Sequence, residues 1–166
     1  MFVTIDVQYA CDFPHLPTEA DFEQWVTTAL SVEQNYHSQE VELTLRIVGE
    51  EEGQQLNQMW RQGKAATNVL SFPFDYPPGF EPDVLLLGDI IICAPVVKRE
   101  AETQNKLMQA HWAHLVVHGL LHLLGYDHVT EVQAQAMEQL EVNILEQLGY
   151  ADPYESRVLE PEDIIQ

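Results

Sequence analysis

The sequence contains few basic residues and almost no cysteine. Only 7 of its 166 residues are lysine or arginine, against 27 aspartates and glutamates, so the formal net charge is −20. This charge opposes non-specific binding to a polyanion and favours basic protein partners. The two cysteines, Cys11 and Cys93, are far apart and form neither a disulfide framework nor a Cys-x-x-Cys metal motif. We therefore expect a protein of the reducing cytoplasm.

The sequence also lacks a long uninterrupted apolar run. Histidine, glycine or aspartate interrupts each candidate, so we expect no membrane-spanning segment and no membrane partner. The N-terminus has no basic region of the kind that opens a signal peptide, and residues 2–8 have the pattern of a strand. With 46% hydrophobic residues the chain can build a core of its own. We expect one domain over residues 1–154 and an acidic tail over residues 155–166, with the loose part beginning near Asp152.

Strand and helix patterns are mixed along the chain without strict alternation. Apolar alternation or short apolar runs predict strands over residues 2–8, 41–48, 68–74 and 84–93. Helical periodicity predicts helices over about 18–36, 50–61, 95 onward, 107–124 and 130–148. The expected class is α+β, with the strongly apolar helix 107–124 at its centre. Pro73 should place the third strand at a sheet edge or at an irregular end.

Two of these helices have apolar stripes that should face the core. On the helix ending at Arg61, the residues expected inward are Leu56, Met59 and Trp60. On the last helix, the residues expected inward are Val132, Ala136, Met137, Leu140, Ile144 and Leu145.

Three histidines occupy one short window, His-Gly-Leu-Leu-His-Leu-Leu-Gly-Tyr-Asp-His, which runs from His118 to His128. His118 and His122 are four residues apart and so share one helix face. Gly125 can take the left-handed conformation that ends a helix, so the chain can turn back and bring His128 to the same point. Three neutral imidazoles suit a zinc-type ion, one per chain, and leave one coordination position open for water or substrate. The window therefore predicts an open metal site.

The histidine spacing is that of the metzincin proteases, but their glutamate is absent. In those enzymes the residue after the first histidine is the general base, whereas here it is Gly119. Glycine cannot accept a proton from water. The sequence thus has the scaffold of a zinc hydrolase without the usual base for peptide hydrolysis, and a metallopeptidase-like hydrolase remains the alternative activity.

Three segments occur in a characteristic order and spacing: Thr67–Phe74 (Thr-Asn-Val-Leu-Ser-Phe-Pro-Phe), Leu87–Ile90 (Leu-Gly-Asp-Ile) and the histidine window. Together they resemble the YbeY family of bacterial rRNA-maturation endoribonucleases. The resemblance extends to about Tyr154. It implies a small α+β domain with about four strands in a mixed sheet and a central helix that carries the metal ligands. Those ligands would be His118, His122 and His128, with zinc as the ion.

The same resemblance implies an activity and a further functional residue. The activity is hydrolysis of single-stranded RNA, in maturation of the 16S rRNA 3′ end and in late quality control of ribosome assembly. The functional arginine maps onto Arg61, whose guanidinium could bind two phosphate oxygens and keeps its charge near pH 7. From the residues alone, Arg61 could instead complement a helix dipole. The nucleophile, zinc hydroxide or a ribose 2′-hydroxyl, stays open.

Five other residues are candidates for supporting roles. His114 lies one helical turn before His118 and is either a rival ligand or, preferably, a packing neighbour. Asp127 and Asp89 could orient ligand imidazoles through the far ring nitrogen, and Asp127 could instead cap the turn. Ser71 and Asn68 either line the cleft or only terminate the strand.

The charge distribution bears on partners. Basic ribosomal proteins of the small subunit, or an assembly GTPase, could dock on the acidic surface and deliver the protein to rRNA. A non-catalytic ribosome assembly factor is the third hypothesis. Five of the seven basic residues lie in the middle of the chain and could form a positive patch or remain separate solvated side chains: Arg61, Lys64, Lys98, Arg99 and Lys106.

Overall fold

Nine helices and strands follow one another in the computed structural model, which describes residues 2–33, 40–61 and 67–154 and, at Arg61, the backbone alone. In chain order they are β1 (Phe2–Ala10), α1 (Glu19–Glu33), β2 (Glu40–Val48), α2 (Glu50–Arg61), β3 (Val69–Pro73), β4 (Val84–Cys93), α3 (Ala94–Thr103), α4 (Met108–Leu123) and α5 (Glu131–Gln147). The predicted α+β class is confirmed. The predicted end of the first helix, at residues 34–36, and most of the predicted loop 62–67 lie outside the described residues.

The four strands form one mixed sheet in the order β1-β2-β4-β3. β1 pairs with β2, and β2 with β4, in parallel, while β3 pairs with β4 antiparallel. β3 is therefore an edge strand, and Pro73 is its last residue, as the sequence predicted. The short antiparallel edge strand matters for function because it lies beside the helix that carries the histidines.

Helix α4 is the centre of the molecule. It contacts α1, α3, α5, β3 and β4, and 11 of its 16 residues are buried. A helix that is apolar on nearly all sides can only be stable where other elements surround it, which explains the central position that the sequence predicted. Within the described part of the chain, no helix has both the length and the apolar character needed to cross a membrane.

The expected inward stripe of α2 is wrong at two positions. Met59 is 69% exposed and Trp60 is 61% exposed, while Leu56 is half-buried. The Trp60 ring packs edge-on against Phe72 of β3, with 5.6 Å between the ring centroids. The apolar residues at the end of α2 therefore cover the edge of the sheet instead of entering the core.

The expected stripe of α5 is also wrong in part. Val132 is 77% exposed and Ala136 is exposed, whereas Met137, Ile144 and Leu145 are buried as predicted. The fully buried position in the middle of this stripe belongs to a charged residue, Glu141. The stripe begins one turn later than expected and includes an acid.

The segment after α5 makes contacts beyond Asp152, the residue near which we expected a loose tail to begin. The Lys106 ammonium donates to the Pro153 carbonyl at 3.2 Å, and the Tyr154 backbone amide donates to Asp152 Oδ1 at 2.8 Å. The Tyr154 ring packs edge-on against His114. This segment therefore contacts the rest of the described chain as far as Tyr154, and the predicted tail, residues 155–166, lies outside the described residues.

Candidate metal centre

Three imidazoles meet at the C-terminal end of α4. His118 and His122 lie one helical turn apart, and their Nε2 atoms are 3.1 Å from each other. The His128 ring centroid lies 5.7 Å from that of His118 and 5.0 Å from that of His122. One nitrogen of each residue can be chosen so that all three atoms lie within 4.8 Å of one another. This group could hold a metal ion.

The turn after α4 brings His128 back to the helix end. Gly125 has φ +100°, and its amide donates to the His122 carbonyl at 3.1 Å. The amide of Tyr126 donates to the Leu121 carbonyl at 3.0 Å. These two bonds form a Schellman motif, which reverses the chain direction directly after the helix. A left-handed glycine is what allows that reversal, so the predicted role of Gly125 is confirmed.

The far ring nitrogens of two histidines are held by acceptors. His122 Nδ1 lies 3.0 Å from the Tyr126 carbonyl, and His118 Nδ1 contacts Oε1 of Glu141. A carbonyl and a carboxylate only accept hydrogen bonds, so Nδ1 is the donor in both rings, and in the neutral form of each ring Nε2 presents a lone pair. Two such lone pairs 3.1 Å apart attract a shared proton or a metal cation. Two nitrogens bound tetrahedrally to zinc are about 3.3 Å apart, which this pair fits closely.

The site opens to solvent on the side of His128. The His128 side chain is exposed, whereas those of His118 and His122 are half-buried. Burial, together with the neighbouring His118 and His128, lowers the pKa of His122 below its ordinary value. His122 is therefore neutral at pH 7 and available to coordinate a cation, and the exposed rim leaves access for water and substrate.

Glu141 of α5 is the residue that sequence reasoning missed. It is fully buried, and its two oxygens have different partners: Oε1 contacts His118 Nδ1, and Oε2 contacts the Tyr154 hydroxyl. Burial alone would raise its pKa, but hydrogen bonds from His114, His118 and Tyr154 outweigh this and lower the pKa of Glu141 to about 2. Glu141 is thus a carboxylate in the folded protein, and its negative charge lies directly behind the His118 ring.

His114 and Tyr154 complete the surroundings of that carboxylate. His114 Nε2 lies 3.1 Å from the Tyr154 hydroxyl oxygen and 3.5 Å from Glu141 Oε2. Burial and the Glu141 charge raise the pKa of the Tyr154 hydroxyl, which stays protonated and donates to the carboxylate. His114 therefore groups with Glu141 and His118 and lies apart from the group formed by His118, His122 and His128.

The two aspartates that were candidates for orienting imidazoles have different surroundings. Asp127 Oδ1 accepts a hydrogen bond from the His128 backbone amide at 2.7 Å, which is the alternative capping role. Asp89 is exposed and follows Gly88 on β4, whereas its neighbour Ile90 is buried and faces α4. Successive side chains of a strand point to opposite faces, so Asp89 lies on the face of the sheet away from the histidines.

The remaining predicted residues border the site or lie beyond it. Ser71 Oγ donates to the Gly119 carbonyl at 3.0 Å and so ties β3 to α4. Asn68 Nδ2 donates to Glu100 of α3 at 3.0 Å, which anchors the start of β3. Arg61 is the last residue of α2, and its side chain lies outside the described part of the chain.

Gly119 has a packing role as well as a chemical one. A Cβ atom at this position would lie 2.9 Å from Ile90 Cγ2 and 3.2 Å from both Ser71 Oγ and Val69 Cγ2. Helix α4 thus approaches the sheet more closely at this turn than any side chain would permit. The glutamate of the metzincin proteases has no room here.

One feature of the local sequence could have identified Glu141 as a functional candidate. It falls four residues after Met137 and four before Leu145, within an apolar stripe where a charged residue is unusual. Its partners were not visible in the sequence, because His118 and Tyr154 lie 23 and 13 residues away.

Known proteins resemble this chain over most of its length. The family model described as Endoribonuclease YbeY matches residues 10–149. A protein named Endoribonuclease YbeY from Nitrosococcus oceani is 57% identical over 156 residues, which cover 94% of this chain and 99% of the relative. A second protein of that name, from Colwellia psychrerythraea, is 51% identical over 150 residues, or 90% of this chain and 96% of the relative. A solution structure of a Thermotoga maritima protein covers 91% of this chain and 99% of its own, at 22% identity and a TM-score of 0.55, and supports the fold.

Proposed function

From this chain's membership of the endoribonuclease YbeY family, which makes it a nuclease, we propose a more specific function. The enzyme depends on zinc and is specific for single-stranded RNA. We propose further that it acts in the cytoplasm, in maturation of the 16S rRNA 3′ end and in late quality control of the ribosome. The observation that carries the metal dependence is the convergence of the three imidazoles, with Nε2 of His118 and Nε2 of His122 3.1 Å apart. His128 would supply the third nitrogen. Three protein ligands would leave the fourth zinc position for water or substrate.

A zinc ion held by these imidazoles supplies Lewis-acid stabilisation of phosphodiester oxygens and makes water more acidic. The residues of the chain supply the rest. His118 and His122 fix the position of the ion because their far nitrogens are already hydrogen-bonded. Arg61 pairs with the non-bridging oxygens of the scissile phosphate, where negative charge builds during cleavage.

Single-strand selectivity is consistent with the chemistry of the substrate and the position of the site. The site lies at the end of a helix, with an exposed rim at His128. Unpaired nucleotides can be splayed out toward such a site, whereas a duplex holds its backbone in a fixed A-form geometry. The acidic body of the protein, with a net charge of −20, makes basic ribosomal proteins of the small subunit, or an assembly GTPase, suitable docking partners.

Metal analysis combined with cleavage of a defined rRNA precursor tests this proposal. The wild type should bind one zinc ion per chain and cleave. Arg61→Ala should keep the metal and lose cleavage by about 10²-fold or more, because an electrostatic contact to the reacting group is removed. His118→Ala should lose both metal and cleavage.

The control variant is His15→Asn, which changes an exposed histidine outside the site to a residue that tolerates its left-handed backbone. It should match the wild type in metal content and rate. Unchanged cleavage by metal-free His118→Ala would exclude the metal-dependent mechanism.

The metallopeptidase alternative finds little support in the geometry. The position of the protease base is Gly119, and a Cβ there would already contact Ile90 at 2.9 Å. A non-catalytic assembly role does not compete with the nuclease role, since docking on a ribosomal particle would serve both.

A further inference from the structure

We propose that Glu141 is the positioning residue of the metal centre. Glu141 holds the His118 ring so that its Nε2 faces the other two histidines. The side chains of Tyr154 and His114 in turn hold the Glu141 carboxylate in place. The inference rests on the proposed metal site. Its basis is one continuous set of contacts, from the Tyr154 hydroxyl to Glu141 Oε2, and from Glu141 Oε1 to His118 Nδ1. No step of the reaction is assigned to Glu141, which acts only through His118.

A purely structural role does not account for a carboxylate at this position. Glu141 is 0% exposed and lies on the apolar stripe of α5 between Met137 and Ile144. A buried charge costs several kcal/mol unless hydrogen bonds satisfy it, and an apolar residue of similar size usually stabilises a core as well or better. The distinctive property of a carboxylate here is a negative charge directed at an imidazole, and this charge acts on His118.

That charge has two effects on a coordinating histidine. It fixes the tautomer with the proton on Nδ1, so that the Nε2 lone pair is always available, and it makes Nε2 a stronger donor to a cation. His122 obtains the first effect from a backbone carbonyl at 3.0 Å, which is a weaker acceptor than a carboxylate. The two histidines of α4 are therefore supported unequally, and His118 should contribute most to metal affinity.

A second metal site made of His114, His118 and Glu141 is the competing explanation. Their candidate ligand atoms also lie within 4.8 Å of one another. However, Glu141 is in direct hydrogen-bond contact with both His118 Nδ1 and the Tyr154 hydroxyl. Direct hydrogen bonds already join these groups, which favours a support for a single ion over a second metal site.

The support extends to the segment that follows α5. The Tyr154 ring lies edge-on to His114, with 5.2 Å between centroids, and the neighbouring Pro153 carbonyl accepts from Lys106. This places Tyr154 at a fixed position over the buried carboxylate. The chain segment around Pro153 and Tyr154 is thereby tied to the metal centre through Glu141.

Zinc affinity and the absorption spectrum of the cobalt-substituted protein test the inference. Zinc affinity is measured by competition with a chromophoric chelator for wild type, Glu141→Gln, Tyr154→Phe and His118→Ala. Glu141→Gln keeps the side-chain size and removes the charge, and it should bind zinc about 10- to 100-fold more weakly. Tyr154→Phe should weaken binding by a smaller factor, because the carboxylate loses one of its donors. The ligand-field bands of bound Co²⁺ should shift in Glu141→Gln, which a role in folding alone would not cause.

The matched control is Glu146→Gln, which removes an equal charge from an exposed position on the same helix. It should bind zinc like the wild type. Wild-type affinity together with an unchanged cobalt spectrum in Glu141→Gln would overturn the inference, and two zinc ions per wild-type chain would favour the competing site. If Glu141→Gln does not fold, zinc affinity and the cobalt spectrum of Tyr154→Phe decide the question, and wild-type values of both would overturn the inference. Wild-type affinity in His118→Ala would instead contradict the proposed metal site itself.

Discussion

Gly119 illustrates how one missing side chain serves both packing and chemistry. Glycine inside a helix costs about 1 kcal/mol relative to alanine, so its presence in the buried middle of α4 needs a compensating gain. The gain is the close approach of α4 to Ile90 and Val69 of the sheet, which brings Ser71 within hydrogen-bond distance of the Gly119 carbonyl. The histidines one residue before and three residues after Gly119 are thereby held against a rigid surface.

We expect Gly119→Ala to destabilise the protein although alanine favours helices. The new Cβ would lie 2.9 Å from Ile90 Cγ2, and Ile90 is fully buried, so neither side can withdraw without disturbing the core. Overpacking of this kind costs about 1–3 kcal/mol, which exceeds the gain in helix propensity. Urea denaturation followed by circular dichroism measures the free energy of unfolding.

The control for Gly119→Ala is Gln135→Ala on the exposed face of α5, which should change the free energy of unfolding by less than about 0.5 kcal/mol. An increase in the stability of Gly119→Ala would show that α4 can move away from the sheet at no cost. In that event the close approach could not be what positions His118 and His122.

Among the elements, α5 connects the two sides of the metal centre. It begins three residues after His128 and carries Glu141 in its interior. Its first turn is fixed by a capping box, in which the Thr130 hydroxyl accepts from the Gln133 amide at 3.1 Å and the Gln133 side chain accepts from the Thr130 amide at 3.2 Å. The cap therefore sets where the helix starts relative to the loop that holds His128.

We expect Thr130→Ala to lower the free energy of unfolding by about 1 kcal/mol, because the first turn of α5 loses a donor–acceptor pair. Thr130→Ser should retain most of the stability, since serine caps equally well. The matched control is Thr27→Ala at an exposed interior position of α1, where the hydroxyl caps nothing and alanine is the better helix former. Equal losses in Thr130→Ala and Thr27→Ala, measured by thermal unfolding, would contradict a capping role.

Sequence periodicity predicted the elements well because each strand and helix repeats its pattern locally. The histidine spacing and Gly125 are local in the same way, so the group at the end of α4 could be predicted with its turn. Whether a particular residue is buried depends on tertiary packing and not only on its neighbours in the sequence. Val132 was expected inside because it is apolar, yet the inner face of α5 is set by what packs against it, and there a carboxylate meets His118.

The same reason explains the other discrepancies. Met59 and Trp60 were assigned to the core by their hydrophobicity, but both are exposed at the end of α2, where the Trp60 ring packs against Phe72 of the edge strand. Asp127 and Asp89 were candidates for orienting imidazoles because aspartates commonly do so. The actual partners of the far nitrogens, a carbonyl four residues away and a glutamate 23 residues away, depend on the helix end and on helix packing.

At the scale of the whole molecule, four of the scarce positive charges have partners among the described residues. Three of them are paired with acids: Arg46 with Glu52 at 2.6 Å, Arg99 with Glu50 at 2.6 Å and Lys98 with Glu102 at 3.8 Å. Lys106 donates to a backbone carbonyl. The side chains of Arg61 and Lys64 lie outside the described part. A chain with a net charge of −20 therefore offers little general attraction for the RNA that its family cleaves.

We expect opposite salt dependence for free RNA and for ribosomal particles. On a naked rRNA precursor, the repulsion between the acidic protein and the phosphates is screened as salt rises, so kcat/KM should stay level or increase between about 50 and about 200 mM KCl. On particles that carry basic ribosomal proteins, the attraction to the acidic surface is screened instead, so kcat/KM should start higher and fall severalfold over that range.

A short single-stranded oligonucleotide is the control for this comparison. It has few phosphates and no bound protein, so both the repulsion from phosphates and the attraction to basic proteins are small. Its cleavage rate should therefore respond least to KCl. Metal-depleted His118→Ala gives the background rate for each substrate. Equal rates and the same decrease with salt on naked and particle-bound RNA would mean that cleavage depends on local positive contacts such as Arg61. The acidic surface would then have no part in delivering the enzyme to its substrate.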